Sequence, residues 1–163
     1  MKKGILTLAA ILTLTTGAAS AAPINNLSSG ETAVGVGTTE AYIEHQVSDN
    51  FTLGYQRADR DYYGDQDDIY GQIRLSNNIR GIVGHRDMNY DSNYYAGLAA
   101  NVPLTPNMMG YASFVTGSDF KETQVGTNID LVSNVELNIN YHSFSPDNGR
   151  NEDGFGVGAT VKF

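Results

Sequence analysis

The chain has 163 residues, 10 Lys+Arg against 18 Asp+Glu, no Cys and no Trp, and a formal charge of −8. That length accommodates one domain. The missing cysteines exclude a disulfide framework and a thiolate metal centre, and the acidic balance excludes a nucleic-acid binder, which needs a basic face to displace phosphate counterions.

The first 21 residues read as an export leader. Lys2 and Lys3 form a positive start, an apolar run follows from Ile5 to Leu14, and Ala19-Ser20-Ala21 matches the small-x-small cleavage rule, with Ala22 first in the mature chain. The apolar run is too short for a membrane anchor, which needs roughly 20 apolar residues. Losing Lys2 and Lys3 takes the formal charge from −8 to −10. Residues 22–30 are expected to be a short periplasmic lead, and residues 31–163 the folded domain.

From residue 31 onward the apolar residues recur at every second position, the spacing of a strand with one apolar face. The predicted strands begin with residues 31–37 and 41–47. Phe51, Leu53 and Tyr55 start the third, Ile69, Gly71, Ile73 and Leu75 mark the fourth, and the fifth follows Asn78. Tyr94, Ala96, Leu98, Ala100 and Val102 carry the sixth, and the seventh precedes Gly117. Val125, Thr127, Ile129 and Leu131 carry the eighth, and Val135, Leu137, Ile139 and Tyr141 the ninth. Phe155, Val157, Ala159, Val161 and Phe163 carry the tenth. Tight turns at 48–50, 76–78 and 132–134, and a slightly longer one at 103–107, alternate with polar loops at 58–68, 86–92, 117–122 and 145–153. Prolines in the 103–107 turn argue against a central strand there. Turns at one end and longer loops at the other predict an all-β, closed, antiparallel, up-and-down transmembrane barrel of ten strands, with eight as the alternative count.

Alternation alone does not separate a membrane barrel from a soluble one. The polar face does. It is rich in Gly, Asn and Gln and carries Glu44, Arg74, Arg80, Asp130, Glu136 and Lys162, a set suited to a crowded hydrated lumen. The apolar face carries tyrosines near strand ends, and Tyr62, Tyr63, Tyr90, Tyr94 and Tyr141 are expected to form an interfacial girdle. The six lumenal charges fall near the turn end, where opposite charges would pair and fill a narrow barrel.

The last strand, Gly154-Phe155-Gly156-Val157-Gly158-Ala159-Thr160-Val161-Lys162-Phe163, resembles the C-terminal assembly signal of bacterial outer-membrane barrels. The matching positions are Phe155, Val157, Ala159, Val161 and the terminal Phe163. The resemblance implies recognition by the barrel-assembly machinery and a place in the outer membrane. The style of residues 31–163, for instance Asp49-Asn50-Phe51-Thr52-Leu53-Gly54-Tyr55, is similar to small outer-membrane proteins of the Veillonella and Selenomonas type, a resemblance that carries no known activity.

No catalytic constellation is expected. His142 should face the lumen as a hydrogen-bonded residue, with Ser143 on the opposite face, so the two form no nucleophile–base pair. His45 and His85 should face outward, and no His pair has metal-ligand spacing. The acidic loop set Asp59, Asp61, Asp65, Asp67 and Asp68 is expected to be a solvated surface, bridged by divalent ions to lipopolysaccharide, with no cofactor. The expected function is a non-enzymatic outer-membrane protein, structural or surface-exposed, with a largely plugged lumen. A narrow channel for small solutes is the alternative, and a barrel enzyme acting on lipid or peptide the third reading.

Overall fold

The computed structural model describes residues 22–88 and 91–163. The leader and Tyr90 lie outside the described residues. Ten strands follow one another: β1 Thr32–Gly37, β2 Glu40–Ser48, β3 Phe51–Arg60, β4 Gly64–Arg74, β5 Ile79–Met88, β6 Asp91–Thr105, β7 Met108–Gly117, β8 Phe120–Val132, β9 Val135–Pro146 and β10 Glu152–Lys162. Each pairs antiparallel with its chain neighbours, and β1 also pairs with β10 through Ala33↔Lys162 to Gly37↔Gly158, so the sheet closes into a ten-strand barrel. Closure leaves no strand edge with unpaired N–H and C=O groups.

The period-two pattern of the sequence becomes an inside and an outside. In β3, Phe51, Leu53 and Tyr55 are exposed while Thr52, Gln56 and Arg60 are buried. The exposed residues form a belt around the wall that includes Ile43, Leu53, Ile69, Val83, Leu98, Phe114, Val125, Ile139 and Phe155. An exposed apolar surface of this extent suits hydrocarbon rather than water. Tyr94 and Tyr141 stand on this outer face. Tyr63 does not join them. It turns over the loop-end mouth, packs edge-on against Phe144 at 5.6 Å, and donates its hydroxyl to the Arg150 carbonyl at 2.8 Å.

The strands at the loop end run further than expected. The described connections there span only 38–39, 61–63, 118–119 and 147–151. Their flanks are polar because the wall continues past the apolar belt into water, and the ladder of hydrogen bonds is indifferent to that change. At the turn end, Pro103 lies within β6 rather than in the turn. It sits beside a register shift between Pro103 and Thr105, where a missing N–H is tolerated. Two further shifts, at Gln46/Ser48 and Asp130/Val132, lie at the same rim.

The high Gly and Tyr content has a specific use inside. Four inward tyrosines stand directly opposite inward glycines on the neighbouring strand: Tyr42 opposite Gly35, Tyr70 opposite Gly54, Tyr95 opposite Gly84, and Tyr111 opposite Gly126. Each ring lies across its glycine so closely that a Cβ there would overlap ring carbons or the hydroxyl. Glycine thus provides the space that lets a large side chain lie flat against the wall of a narrow lumen. We expect Gly54→Val to lower the stability of the detergent-refolded barrel by about 1–3 kcal/mol in urea titration, the usual range for overpacking. Gly81→Ala, whose added carbon would meet Leu75 at an ordinary 3.7 Å, should leave the midpoint in place.

Candidate functional site

The closed sheet encloses a lumen, and three layers of side chains occupy it.

Towards the loop end lies a buried ion-pair layer contributed by five strands. From β5, Arg86 grips Asp68 of β4 with two nitrogens, Nε to Oδ1 at 2.9 Å and Nη2 to Oδ2 at 2.8 Å. Its Nη1 lies 2.7 Å from Oε2 of Glu122 on β8. From β3, Arg60 donates Nη2 to Glu122 Oε1 at 2.9 Å and reaches Glu152 of β10 at 3.7 Å. Aromatic rings sandwich the two guanidinium groups: Arg60 sits 4.1 Å from the Phe144 centroid, and Arg86 4.4 Å from that of Phe120. All five charged side chains are at most 2% exposed. Bidentate geometry and ring stacking are what guanidinium groups need to stay charged away from water.

Above this layer, at the loop end, an open mouth of about 480 Å³ is bordered by Tyr62, Tyr63, Asp91, Asp119 and Pro146.

The middle layer is apolar and aromatic. Tyr70, Ile82, Tyr95, Ala99 and Tyr111 form its wall, and Ile24 inserts into it. Ile24 belongs to residues 22–30, which the sequence places only as a lead. The segment in fact runs into the barrel from the turn end. Asn25, fully buried, donates to Glu44 at 2.7 Å, and its carbonyl accepts from Arg80 at 2.7 Å. The Ile24 carbonyl accepts from Asn128 at 3.0 Å and the Asn26 carbonyl from Lys162 at 3.1 Å. The Ala22 nitrogen donates to Gln56 at 2.8 Å. An extended segment inside a polar tube needs partners for its backbone, and the inward amides and bases of the wall supply them.

The turn end holds the six charges singled out in the sequence. Glu44 is buried and bonded by neutral donors: Tyr70 at 2.9 Å, Gln72 at 2.8 Å, and Asn25. Arg80 is bonded to residues 25 and 26 and to Gln72. Glu136 pairs with Lys162. Asp130 is exposed at the rim opposite Glu136, and Arg74 is half-buried opposite Arg80. The six therefore share one end of the lumen, but only Glu136 and Lys162 form an ion pair between themselves. Glu44 and Arg80 are organised by the inserted segment.

The acidic loop set divides. Asp61 lies in the connection. Asp59, Asp65 and Asp67 lie on the outer face of β3 and β4, where Arg57 bridges to Asp65 at 2.5 Å and to Asp67 at 3.9 Å. Asp68 is not a surface residue at all; it faces the lumen and binds Arg86. A single step along a strand moves a side chain from one face to the other, so a run of acids carried by a strand is necessarily divided. Arg60, Arg86, Glu122 and Glu152 fall in segments whose polarity predicts loops or loop margins. Their signal was parity: each has the same inward phase as the polar residues below it on its strand.

His142 is fully buried in the lumen, and neither ring nitrogen has a hydrogen-bond partner. Ser143 faces outward and donates to Asp153 at 2.6 Å, so no Ser–His pair forms. His45 is exposed, bonded to Thr32 at 2.9 Å, and His85 stacks on Tyr94 at 4.7 Å on the outer wall. Phe155, Val157, Ala159 and Val161, the residues expected to form an assembly signal, lie along the closing strand. Phe163 follows, exposed, its backbone paired with Thr32.

No protein-family model matches the chain, and no curated protein matches it. Solved structures do share its architecture. The KdgM porin in complex with disordered oligogalacturonate aligns at a TM-score of 0.50 with 7% identity, over 82% of this chain and 98% of that one. The NanC porin aligns at 0.47 with 12% identity, over 90% and 97%. The N-terminal β-barrel domain of Pseudomonas aeruginosa OprF aligns at 0.44 with 10% identity, over 83% and 98%. At 7% identity the likeness to the KdgM porin is one of fold alone, and the closed, all-antiparallel ten-strand barrel is this chain's own.

Removing one member of a buried ion pair leaves an uncompensated charge, at a cost of about 3–5 kcal/mol. Glu122→Gln should therefore cost stability on that scale in urea unfolding of the refolded protein. Asp65→Asn, in an exposed pair, should change it by under about 1 kcal/mol.

Proposed function

We propose that the chain is an integral outer-membrane protein without enzymatic activity, exported by its leader and cut after Ala21, with a lumen closed at rest and a structural or surface-exposed role. The observation that carries this reading is the occupation of the lumen below the mouth by ion pairs, by rings and by residues 22–27, which leaves about 40 Å³ beneath the ion-pair layer and about 360 Å³ at the turn-end rim. The apolar belt supports the membrane placement. Phe155, Val157, Ala159, Val161 and Phe163, exposed or at the closing seam, support their use as an assembly signal for the barrel machinery. Kinship with the small outer-membrane proteins of the Veillonella and Selenomonas type belongs to the same proposal. The outer-face acids Asp59, Asp65 and Asp67 place carboxylates where divalent ions could bridge them to lipopolysaccharide.

A second reading, a narrow channel for small solutes, draws on one observation. A cavity of about 40 Å³ separates the inserted segment from the ion-pair layer, room enough for water.

A refolded outer-membrane barrel should migrate differently on gels before and after boiling; unchanged migration together with solubility free of detergent would overturn the membrane assignment. In planar bilayers we expect no discrete conductance steps from the mature protein, nor from Asp130→Ala/Glu136→Ala. Steps in the mature protein that grow in the double variant would establish the channel reading instead.

A further inference from the structure

Among the described residues, the buried layer near the loop end is one cation short. It holds three carboxylates, Asp68, Glu122 and Glu152, against two guanidinium groups, Arg60 and Arg86. Buried charge of one sign is costly unless paired. His142 offers no hydrogen-bonded cation, since neither ring nitrogen has a partner. Once the leader is cut after Ala21, the Ala22 nitrogen ends the inserted segment beside Gln56, the residue paired with Asp68 across β3 and β4. It lies 2.8 Å from Gln56 Oε1, and Ala22 borders the same cavity of about 40 Å³ as Asp68 and Glu122.

We propose that the α-ammonium group freed at Ala22 is the third cation of this layer, so that cleavage of the leader arms residues 22–27 as the internal plug of the barrel. The inference rests on the cleavage reading above. Before cleavage the Ala22 nitrogen is an amide, with one hydrogen and no charge. Hydrolysis adds water across the Ala21–Ala22 bond, leaving a carboxylate on Ala21 and an amine on Ala22 that takes up a proton below its usual pKa of about 8. The resulting ammonium has three N–H donors. Gln56 accepts one, and the cavity wall offers carboxylate oxygens of Asp68 and Glu122 for the others. The segment behind it is already specified for the lumen: Ile24 fills the aromatic layer and Asn25 bonds Glu44. The chain thus binds its own amino terminus as a ligand, and the group that completes the site does not exist until the leader is removed.

The test begins with N-terminal sequencing of the protein taken from membranes. A start other than Ala22 overturns the cleavage reading, and the proposal with it. With the start at Ala22, the amine of the folded protein is challenged at neutral pH with acetic anhydride and its modification read by mass spectrometry. We expect at least tenfold protection relative to the urea-unfolded chain, with exposed Lys121 in the same molecule reacting at its ordinary rate. Reaction of Ala22 at the unfolded rate overturns the proposal while leaving the cleavage reading intact. A second measurement uses the absence of native cysteine. In Pro23→Cys the thiol should react with a maleimide at least tenfold faster when Ala22 has been selectively acetylated in the unfolded chain and the barrel then refolded. Equal shielding in the acetylated and free-amine barrels would show that the charge does not hold the segment, and would overturn the proposal.

Discussion

The hydrogen bonds between β1 and β10 are the constraint on which the rest of the molecule depends. They join Thr32–Gly37 to the last strand and convert a ribbon of ten strands into a cylinder. In hydrocarbon no water is present to satisfy an open edge, so a sheet of this kind is stable there only when closed. Closure also divides every strand into an inner and an outer face, and each face then meets one solvent. The outer face carries most of the large aliphatic residues; the inner face carries amides, charges, glycines, four tyrosines and the rings of Phe120 and Phe144. The two very different compositions interleaved along the chain follow from that single topological fact.

A narrow cylinder creates a second constraint, because inward side chains compete for little volume. The tyrosine–glycine pairs resolve it across four strand junctions, the ring of one residue lying over the missing side chain of its partner. The same economy governs charge. Arg60 and Arg86 share Glu122, and each is flanked by an aromatic ring, so the cations are held by neighbours rather than by water. What the wall leaves unfilled, residues 22–27 fill from the turn end. The lumen is better described as a core turned inside out, with buried polar and charged side chains where a soluble domain carries apolar ones.

Much of this was legible in the residues themselves. The outward direction of the apolar face follows from the composition of the polar one. The strand count and the opposite phases of His142 and Ser143 follow from period-two spacing, which is a local property of the backbone. The closing strand could be read from Phe155 to Phe163 for the same reason. The limits of the strands were less legible. Asp65, Asp67 and Asp68 look like loop because they are polar, yet a strand that passes from lipid into water changes composition without changing conformation.

Sequence by itself therefore determined the barrel, its closure from ten alternating segments, and the parity of each residue, because a strand's two faces are set by neighbours one and two positions away. It did not determine which inward residues meet. Asp68 finds Arg86 eighteen positions on, Arg60 finds Glu122 sixty-two positions on, and Asn25 finds Glu44 and Arg80 only because its segment runs into the tube. Those partnerships depend on the stagger between strands around a closed sheet and on a short leading segment entering the space they enclose. Only the tertiary structure decided them, because charges distant along the chain become neighbours only once the cylinder has formed.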